Sequence, residues 1–220
     1  NIAFILPFTG FFIYKILNKI HLSPFYHKCT IFLSAYISIN LAAFFTALEL
    51  GIQPLLFVDN LGQPLYCPYP LWISIPAMAL SHLTIAGIAE GLFTLSLYLF
   101  ILKTSPNIIY DSQQIKLNSI FSLLAFLIII SPLGLIAEGT AWGEWAPEEI
   151  LNDTSSGVPL GFIPEKLLNG FNYEAFFPDY TMSGTTDILA YIASAIIGVA
   201  LLIIIFKILG SIIYAKKQSL

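Results

Sequence analysis

Five long apolar stretches follow one another along the chain, and more polar segments separate them. The hydrocarbon core of a bilayer is about 30 Å thick and takes about 20 helical residues, and the stretches run from 18 to 32 residues. Only a helix or a closed barrel satisfies its backbone hydrogen bonds within lipid. We therefore predict an all-α fold, a polytopic transmembrane helix bundle with about five transmembrane helices, at residues 1–18, 30–52, 71–102, 117–137 and 186–210.

The lysines predict how these helices are oriented. Eight of the nine lysines would lie on one side of the membrane if the five helices cross it in turn, and Lys166 is the exception. Because cytoplasmic flanks collect Lys and Arg, the first helix is expected to enter from outside and the C-terminus to end in the cytoplasm. We expect a multi-pass protein of the plasma (cell) membrane, with the loop at residues 138–184 outside.

Composition supports a membrane protein and excludes several other classes. Hydrophobic residues make up 57% of the chain and charged residues 10%, with a mean hydropathy of +0.84, values outside the range of soluble domains. Membrane lipid is thus an expected partner. The net charge of -4 says little by itself, and no nucleic-acid partner is implied. Cys29 and Cys67 fall near opposite membrane faces, so we expect no pairing.

The soluble-enzyme motifs are missing from the sequence. There is no P-loop, no GxSxG, no HExxH and no paired cysteine motif. We therefore predict no catalytic residue and no bound cofactor, and any ATP hydrolysis would fall to a partner protein.

The outer loop at residues 138–184 is the longest segment between predicted helices, and it is rich in aromatic and acidic residues. Two interpretations stay open. The loop is either an amphipathic segment lying on the membrane surface or a lid over a substrate mouth.

Ionisable residues inside membrane helices are costly and mark function, so four of them are candidates. Glu49 and Asp187 fall near helix ends, where a carboxylate reaches water. His82 and Glu90 lie deeper, within one predicted helix, about 80° apart around its axis and about 12 Å apart along it. That separation is too large for one shared ligand. We favour hydrogen-bond anchors between helices over direct substrate contact.

Gly87 and Gly91 form a small-xxx-small pair in the same helix. Such a pair lets another helix backbone approach closely and brings polar partners near Glu90. Pro76, nearer the outer end, is expected to kink the helix or free a carbonyl.

Several segments of the sequence, taken in their order along the chain, resemble one protein family. They are NIAFILPFTGFFIYKIL at the start, the pattern HxxxxxxxEGxxT carried by His82, Glu90, Gly91 and Thr94, and SPLGLIAEGTAWGEWAPEEI further on. They resemble the CbiM/NikM family, the membrane substrate-binding subunits of energy-coupling-factor cobalt and nickel transporters. The last phrase is similar to a fused CbiN-like, PDGLE-type domain. The resemblance implies a CbiM-like core at residues 1–110 and a CbiN-like domain with two helices and an outer loop at residues 111–220.

The resemblance also implies a function. It implies a subunit that captures Co²⁺ or Ni²⁺ for ATP-driven uptake, with cobalt supply for cobalamin synthesis as the expected role. The implied partners are a CbiQ-type transmembrane coupling subunit and a CbiO-type ATPase. In the family, the metal is held by a Met-His N-terminus and a histidine of an early loop. This chain contains neither, so it looks like the C-terminal piece of a longer protein, and we predict no metal ligand in it.

Two other classes of function stay open from the residues alone. One is an intramembrane enzyme that uses His82 and Glu90 as an acid/base pair, and the other is a non-catalytic membrane scaffold whose aromatic outer loop binds a partner. His21 and His27 fall on the predicted inner side, apart from the other candidates.

Overall fold

The computed structural model describes residues 1–19, 23–106, 117–136, 140–170 and 175–218. Across these ranges the regular elements are helices, and the only strand-like pairing is an isolated bridge between Val58 and Pro64. The all-α prediction is confirmed. The α-helices are α1 (Ile5–Leu17), α2 (Pro24–Leu56), α3 (Leu71–Ser81), α4 (Gly87–Thr104), α5 (Leu117–Ile130), α6 (Pro147–Leu151), α7 (Glu165–Leu168) and α8 (Asp187–Gln218).

Within the described ranges, three continuous helical segments are long and apolar enough to cross a membrane. They are Pro24–Leu56, Leu71–Thr104 and Asp187–Ile212. Two shorter apolar helices, Ile5–Leu17 and Ile120–Ile136, lie in the other two predicted stretches. The total of five crossings remains a prediction.

Helix α2 begins six residues before the apolar stretch that predicted it. Its start has a capping signal, because the Ser23 hydroxyl accepts a hydrogen bond from the Tyr26 N–H at 3.2 Å and Pro24 occupies the first turn. Both features favour a helix start. Residues 24–29, which precede the predicted apolar stretch, therefore belong to the helix.

The chain divides into two compact units, one formed by residues 1–112 with 140–172 and the other by residues 113–139 with 173–220. The first unit thus includes much of the loop between the last two long apolar stretches. The predicted domain boundary between residues 110 and 111 lies outside the described residues, and so it stays a prediction.

Helix α2 is the centre of the first unit, where it contacts α1, α3 and α4. Small side chains dominate its buried face and let neighbouring helices approach closely. The buried residues are Thr30, Ile31, Ser34, Ala35, Ser38, Ala42, Ala43, Ala47 and Gly51. At one end of this unit, residues 57–70 join α2 to α3, and we call this end the loop end.

In the second unit, α8 packs against α5 and against the 3₁₀ turn Ser131–Ile136. Most large side chains of α8 remain exposed, among them Ile205 and Phe206. A continuous apolar surface of this kind needs lipid or protein around it, as the membrane prediction expects.

The third long apolar segment is not a regular α-helix throughout. A π turn, His82–Ala86, separates α3 from α4, and the Gly87 N–H donates to the His82 carbonyl. Tyr36 of α2 donates its hydroxyl to the Leu83 carbonyl at 2.8 Å. The predicted 80° between His82 and Glu90 assumed α geometry, so that angle does not apply. The helix passes through Pro76 without ending.

Candidate functional site

A cavity of about 610 Å³ lies in the first unit, between the N-terminal residues, α2, the end of α3 and residues 141–144. We call it the Asn1–His82 cavity. Most of its lining is apolar, and its polar residues are few. Those polar residues are Asn1, Thr46, Ser81, His82 and Glu144, and Trp142 supplies an aromatic wall.

Glu49 contacts Asn1, which lines this cavity. The Asn1 side-chain amide donates to Thr46 Oγ1 and to Glu49 Oε2, both at 2.8 Å. Glu49 is exposed, at the position near a helix end where the sequence placed it. Its carboxylate therefore fixes the N-terminal residue against α2 and adds negative charge at this end of the unit.

His82 is half-buried and held by its own helix. Its Nδ1 lies 2.9 Å from the Met78 carbonyl oxygen and 3.1 Å from Ser81 Oγ. A carbonyl only accepts hydrogen bonds, so Nδ1 carries a proton when it makes this contact. In the neutral ring Nε2 is then the nitrogen with a free lone pair.

Glu90 lines a different cavity, of about 430 Å³, between α1, α2 and α4. Its Oε1 accepts a hydrogen bond from Thr94 Oγ1 at 3.1 Å. Ser34 and Ser38 lie on the same walls, and we call this space the Glu90 groove. The structure therefore does not bring His82 and Glu90 into one site.

The other histidines lie elsewhere. His27, in the first turn of α2, contacts Asn18 Oδ1 through Nδ1 at 2.9 Å and the Tyr98 hydroxyl through Nε2 at 3.0 Å. Its ring thus links α2 to α4 and to the chain after α1. His21 lies outside the described residues.

Gly87 and Gly91 are both buried and both face α2. A Cβ at Gly87 would lie 2.7 Å from Asn40 Nδ2, and one at Gly91 would lie 2.6 Å from the Phe32 ring. The two glycines therefore permit the close packing of α4 on α2.

A buried hydrogen-bond cluster at the loop end was not predicted from the sequence. Tyr69, only 1% exposed, donates its hydroxyl to the Asp153 carboxylate. That carboxylate also accepts from Trp145 Nε1 at 3.1 Å and from the Ser155 N–H at 2.9 Å. Trp142 Nε1 donates to the Ser155 hydroxyl at 2.9 Å. We call these five residues the Asp153 anchor.

The aromatic rings of the anchor pack on one another. The centroids of Trp142 and Trp145 are 5.0 Å apart, and those of Tyr69 and Trp145 are 5.5 Å apart, distances typical of favourable aromatic pairs. Cys67 and Ile73 form a buried cluster with Tyr69, and Leu160 packs against it. The anchor therefore has an apolar base as well as a polar centre.

The anchor fixes residues that belong to the cavity wall. Trp142 belongs both to the Asp153 anchor and to the wall of the Asn1–His82 cavity. The next two residues of the chain, Gly143 and Glu144, also line that cavity. Close by, Glu149 Oε2 accepts from the Ala146 N–H at 2.9 Å and from the Thr140 hydroxyl at 2.7 Å. Residues 140–155 are thus held together by their own hydrogen bonds and tied to the loop end through Tyr69.

The charge state of the anchor follows from these contacts. Burial favours the neutral form of Asp153, but hydrogen bonds from Ser155, Tyr69 and Trp145 outweigh it and hold its pKa below the ordinary 3.8. Burial, and next the hydrogen bond to Asp153, raise the pKa of Tyr69. At neutral pH the anchor is therefore a carboxylate held by a neutral phenol.

A pH dependence follows from this lowered pKa. An acid whose folded pKa is depressed stabilises the folded state above its ordinary pKa, and the stabilisation is lost as the pH falls through the folded value. The tryptophan emission of a Trp72→Phe variant, which reports Trp142 and Trp145, should stay constant from pH 7 to about 4. Below that it should shift to the red.

Asp153→Asn is the control, because it removes the titrating group. Its emission should show no transition tied to this carboxyl below pH 4. A red shift centred at pH 5 to 6 in the parent would contradict the assignment of a lowered pKa to Asp153.

Across the described ranges, no three His, Cys, Asp or Glu residues lie close enough together to hold a metal ion. The described candidates nearest the Asn1–His82 cavity are one imidazole and separate carboxylates. Any ion bound there would complete its coordination with water or with other protein groups.

Comparison with known proteins gives matches over nearly all of the chain. Residues 1–108 match the CbiM family model, described as the cobalt uptake substrate-specific transmembrane region, and residues 117–215 match the PDGLE domain. The chain is 37% identical over 208 residues to the probable fused nickel transport protein LarMN of Lactiplantibacillus plantarum, covering 94% of this chain and 62% of the relative.

A second relative and a solved structure also match part of the chain. The chain is 37% identical over 186 residues to the fused nickel transport protein NikMN of Rhodobacter capsulatus, covering 78% of this chain and 54% of the relative. A crystal structure of a transition metal transporter is 42% identical, with a TM-score of 0.44 and coverage of 50% of this chain and 47% of that one. The chain thus spans 62% and 54% of the two curated relatives.

Proposed function

Because this chain belongs to the CbiM family and continues into a PDGLE domain, we propose that it is part of the membrane substrate-capture subunit of a cobalt or nickel uptake transporter. The observation that best supports this is the Asn1–His82 cavity. Its volume is about 610 Å³, and its wall includes the loop segment 141–144. A cavity partly covered by a loop suits capture and release of a small ion.

The outer loop acts as a lid in this proposal. The Asp153 anchor supports that role over the membrane-surface role, because it holds Trp142 and its neighbours against the cavity. The acidic residues of the loop add a second effect, since negative charge raises the local concentration of cations.

Energy would come from partner proteins. The sequence contains no P-loop, so we propose that a CbiQ-type coupling subunit and a CbiO-type ATPase supply nucleotide-driven movement, as in energy-coupling-factor transporters. The division into a CbiM-like core at residues 1–110 and a CbiN-like domain at residues 111–220 is part of the same proposal.

The transported ion is a proposal as well. The names of both curated relatives specify nickel, which makes Ni²⁺ the first ion to test, with Co²⁺ second. A role in cobalamin synthesis would require cobalt transport. Ligand chemistry suits both ions, because imidazole nitrogen binds each of them.

The two alternatives have less support. An acid/base pair requires His82 and Glu90 to meet at one substrate, but they line different cavities. A scaffold requires an outer loop free for a partner, yet much of residues 140–170 packs within the first unit.

Uptake of radioactive metal tests the proposal. Cells that express the complete gene product with its coupling subunit and ATPase should accumulate nickel or cobalt ions in an ATP-dependent manner. Cells with an inactive ATPase are the matched control. Equal accumulation in both strains, for both ions, would contradict the proposal.

The role of Glu90 gives a prediction within this proposal. A charge at a helix centre costs about 2.5–3.5 kcal/mol on insertion scales, so we expect Glu90 to act through hydrogen bonds such as the one from Thr94. Glu90→Gln keeps hydrogen bonding and should retain more uptake than Glu90→Leu. Equal loss in both variants, at normal membrane levels, would instead indicate a required negative charge.

The membrane orientation gives a second prediction within this proposal. The C-terminus is proposed to be cytoplasmic, with residues 138–184 outside. In a chain without Cys29 and Cys67, a cysteine replacing the exposed Ser156 should react with an impermeant thiol reagent on intact cells, and one replacing Ser219 should not. The reverse pattern would invert the topology.

A further inference from the structure

The orientation of the His82 ring is the starting observation. Nδ1 is held by the Met78 carbonyl at 2.9 Å and by Ser81 Oγ at 3.1 Å. Histidines that bind metal almost always donate the other ring N–H to a carbonyl or carboxylate, which fixes the tautomer and the ring plane. His82 has this arrangement, and Nε2 makes no hydrogen bond within the described residues.

The surroundings of His82 point to the same role. His82 is the only histidine lining the Asn1–His82 cavity in the described part of the chain, and Glu144 also lines that cavity. The π turn begins at His82, and single π turns inside α-helices frequently mark functional sites. The Tyr36 hydroxyl holds the Leu83 carbonyl in that turn.

We propose that Nε2 of His82 is a contact for the transported divalent ion inside the Asn1–His82 cavity. This inference rests on the proposed function in metal uptake. It adds a binding residue to it and replaces the prediction from the sequence that this chain holds no metal ligand. Imidazole nitrogen is a preferred ligand of Ni²⁺ and Co²⁺. Water completes the coordination, because no cluster of three ligating side chains occurs in the described residues.

A site with one protein ligand binds an ion weakly, and weak binding suits a site through which an ion passes during transport. An ion must be held well enough to enter a site and loosely enough to leave it. His82 would then be a transit contact between capture and release. His27, the other histidine in the described part of the chain, contacts Asn18 and Tyr98 instead.

Pulsed electron paramagnetic resonance with Cu²⁺ as the probe tests the contact directly. In this chain in lipid nanodiscs, a copper ion bound through Nε2 should show modulation from the remote Nδ1 of an imidazole. His82→Gln should abolish this component and weaken Cu²⁺ binding at least about tenfold. His27→Gln is the matched control and should retain the component.

A second variant distinguishes the loss of the metal contact from a folding defect in His82→Gln. In a chain without Cys29 and Cys67, His82→Cys provides a thiolate ligand, so it should bind Co²⁺, which a thiolate does not reduce, and show a sulfur-to-cobalt absorption band. Imidazole modulation that persists in His82→Gln, or that is absent from the parent chain, would overturn the proposed contact. So would a His82→Cys variant that folds but gains no such band.

Uptake separates this inference from the proposed function. If the complete transporter accumulates Ni²⁺ equally with His82 and with His82→Gln, the transit contact is wrong and the transport function stands. If the parent accumulates neither ion while the copper signal depends on His82, the metal contact stands and the transport function fails.

Discussion

Replacing Asp153 with alanine is expected to release residues 140–155 from Tyr69 and to expose Cys67 to thiol reagents. The substitution leaves the Tyr69 hydroxyl, the Trp145 N–H and the Ser155 N–H without their shared acceptor. Losing hydrogen bonds to a charged group costs about 1.5–3 kcal/mol. The docking equilibrium should therefore fall by roughly 10- to 100-fold.

Cys67 makes this change measurable. It is 6% exposed, and burial raises the pKa of its thiol, so the parent should react slowly with a maleimide at pH 7. In a Cys29→Ala background, Asp153→Ala should speed labelling by about the same factor as the docking equilibrium falls. Glu148→Ala removes an exposed carboxylate from the same segment and should label like the parent.

Asp153→Asn refines the test. Tyr69 and Ser155 donate to Oδ1, while Trp145 donates to Oδ2. An asparagine oxygen at the Oδ1 position keeps the first two contacts but places its NH₂ against the Trp145 N–H. Labelling between the rates of the parent and the alanine variant is expected. Parent-like labelling in Asp153→Ala would mean that the carboxylate does not hold the segment.

Gly87→Ala is expected to destabilise the first unit strongly. A Cβ there would lie 2.7 Å from Asn40 Nδ2 and 2.9 Å from Tyr36 Cε2, and it would also press on the His82 carbonyl. The last group is backbone within the π turn and cannot rotate away. Overpacking usually costs about 1–3 kcal/mol, and the crowding against a backbone oxygen places Gly87→Ala at the upper end.

Two other glycines give a graded comparison. At Gly91 the crowded atoms belong to the Phe32 ring, which can shift, so Gly91→Ala should be milder. At Gly198, within α8, nothing lies within 4 Å, and alanine should stabilise the helix by up to about 1 kcal/mol. Melting temperatures in detergent should rank Gly198→Ala first, Gly91→Ala next and Gly87→Ala last. Any other order would contradict the proposed packing.

The helices were predictable because length and apolarity determine them directly. The stretch near residues 71–102 is a clear example, since lipid requires a helix there. The π turn inside it was not predictable, because His-Leu-Thr-Ile-Ala is equally compatible with α geometry. It depends on tertiary partners, including the Tyr36 hydroxyl bound to the Leu83 carbonyl.

The candidate site was predictable only in part. The cost of placing ionisable groups in lipid marked out His82 and Glu90, but their separation into two cavities follows from helix packing. Asp153 was one acidic residue among many in the outer loop. Its partner Tyr69 lies 84 residues earlier, and no local pattern connects the two. A tyrosine between Pro68 and Pro70 was the only sign of a constrained position.

That distance along the chain has a consequence for biosynthesis. The Tyr69–Asp153 contact closes after the ribosome has made 84 further residues, whereas α1, α2, α3 and α4 can meet as soon as each has emerged. Domains form from the N-terminus during synthesis, and long loops close late. In a nascent chain, protection of Cys67 by this contact would therefore show that α5 and the loop as far as Asp153 have already been synthesised.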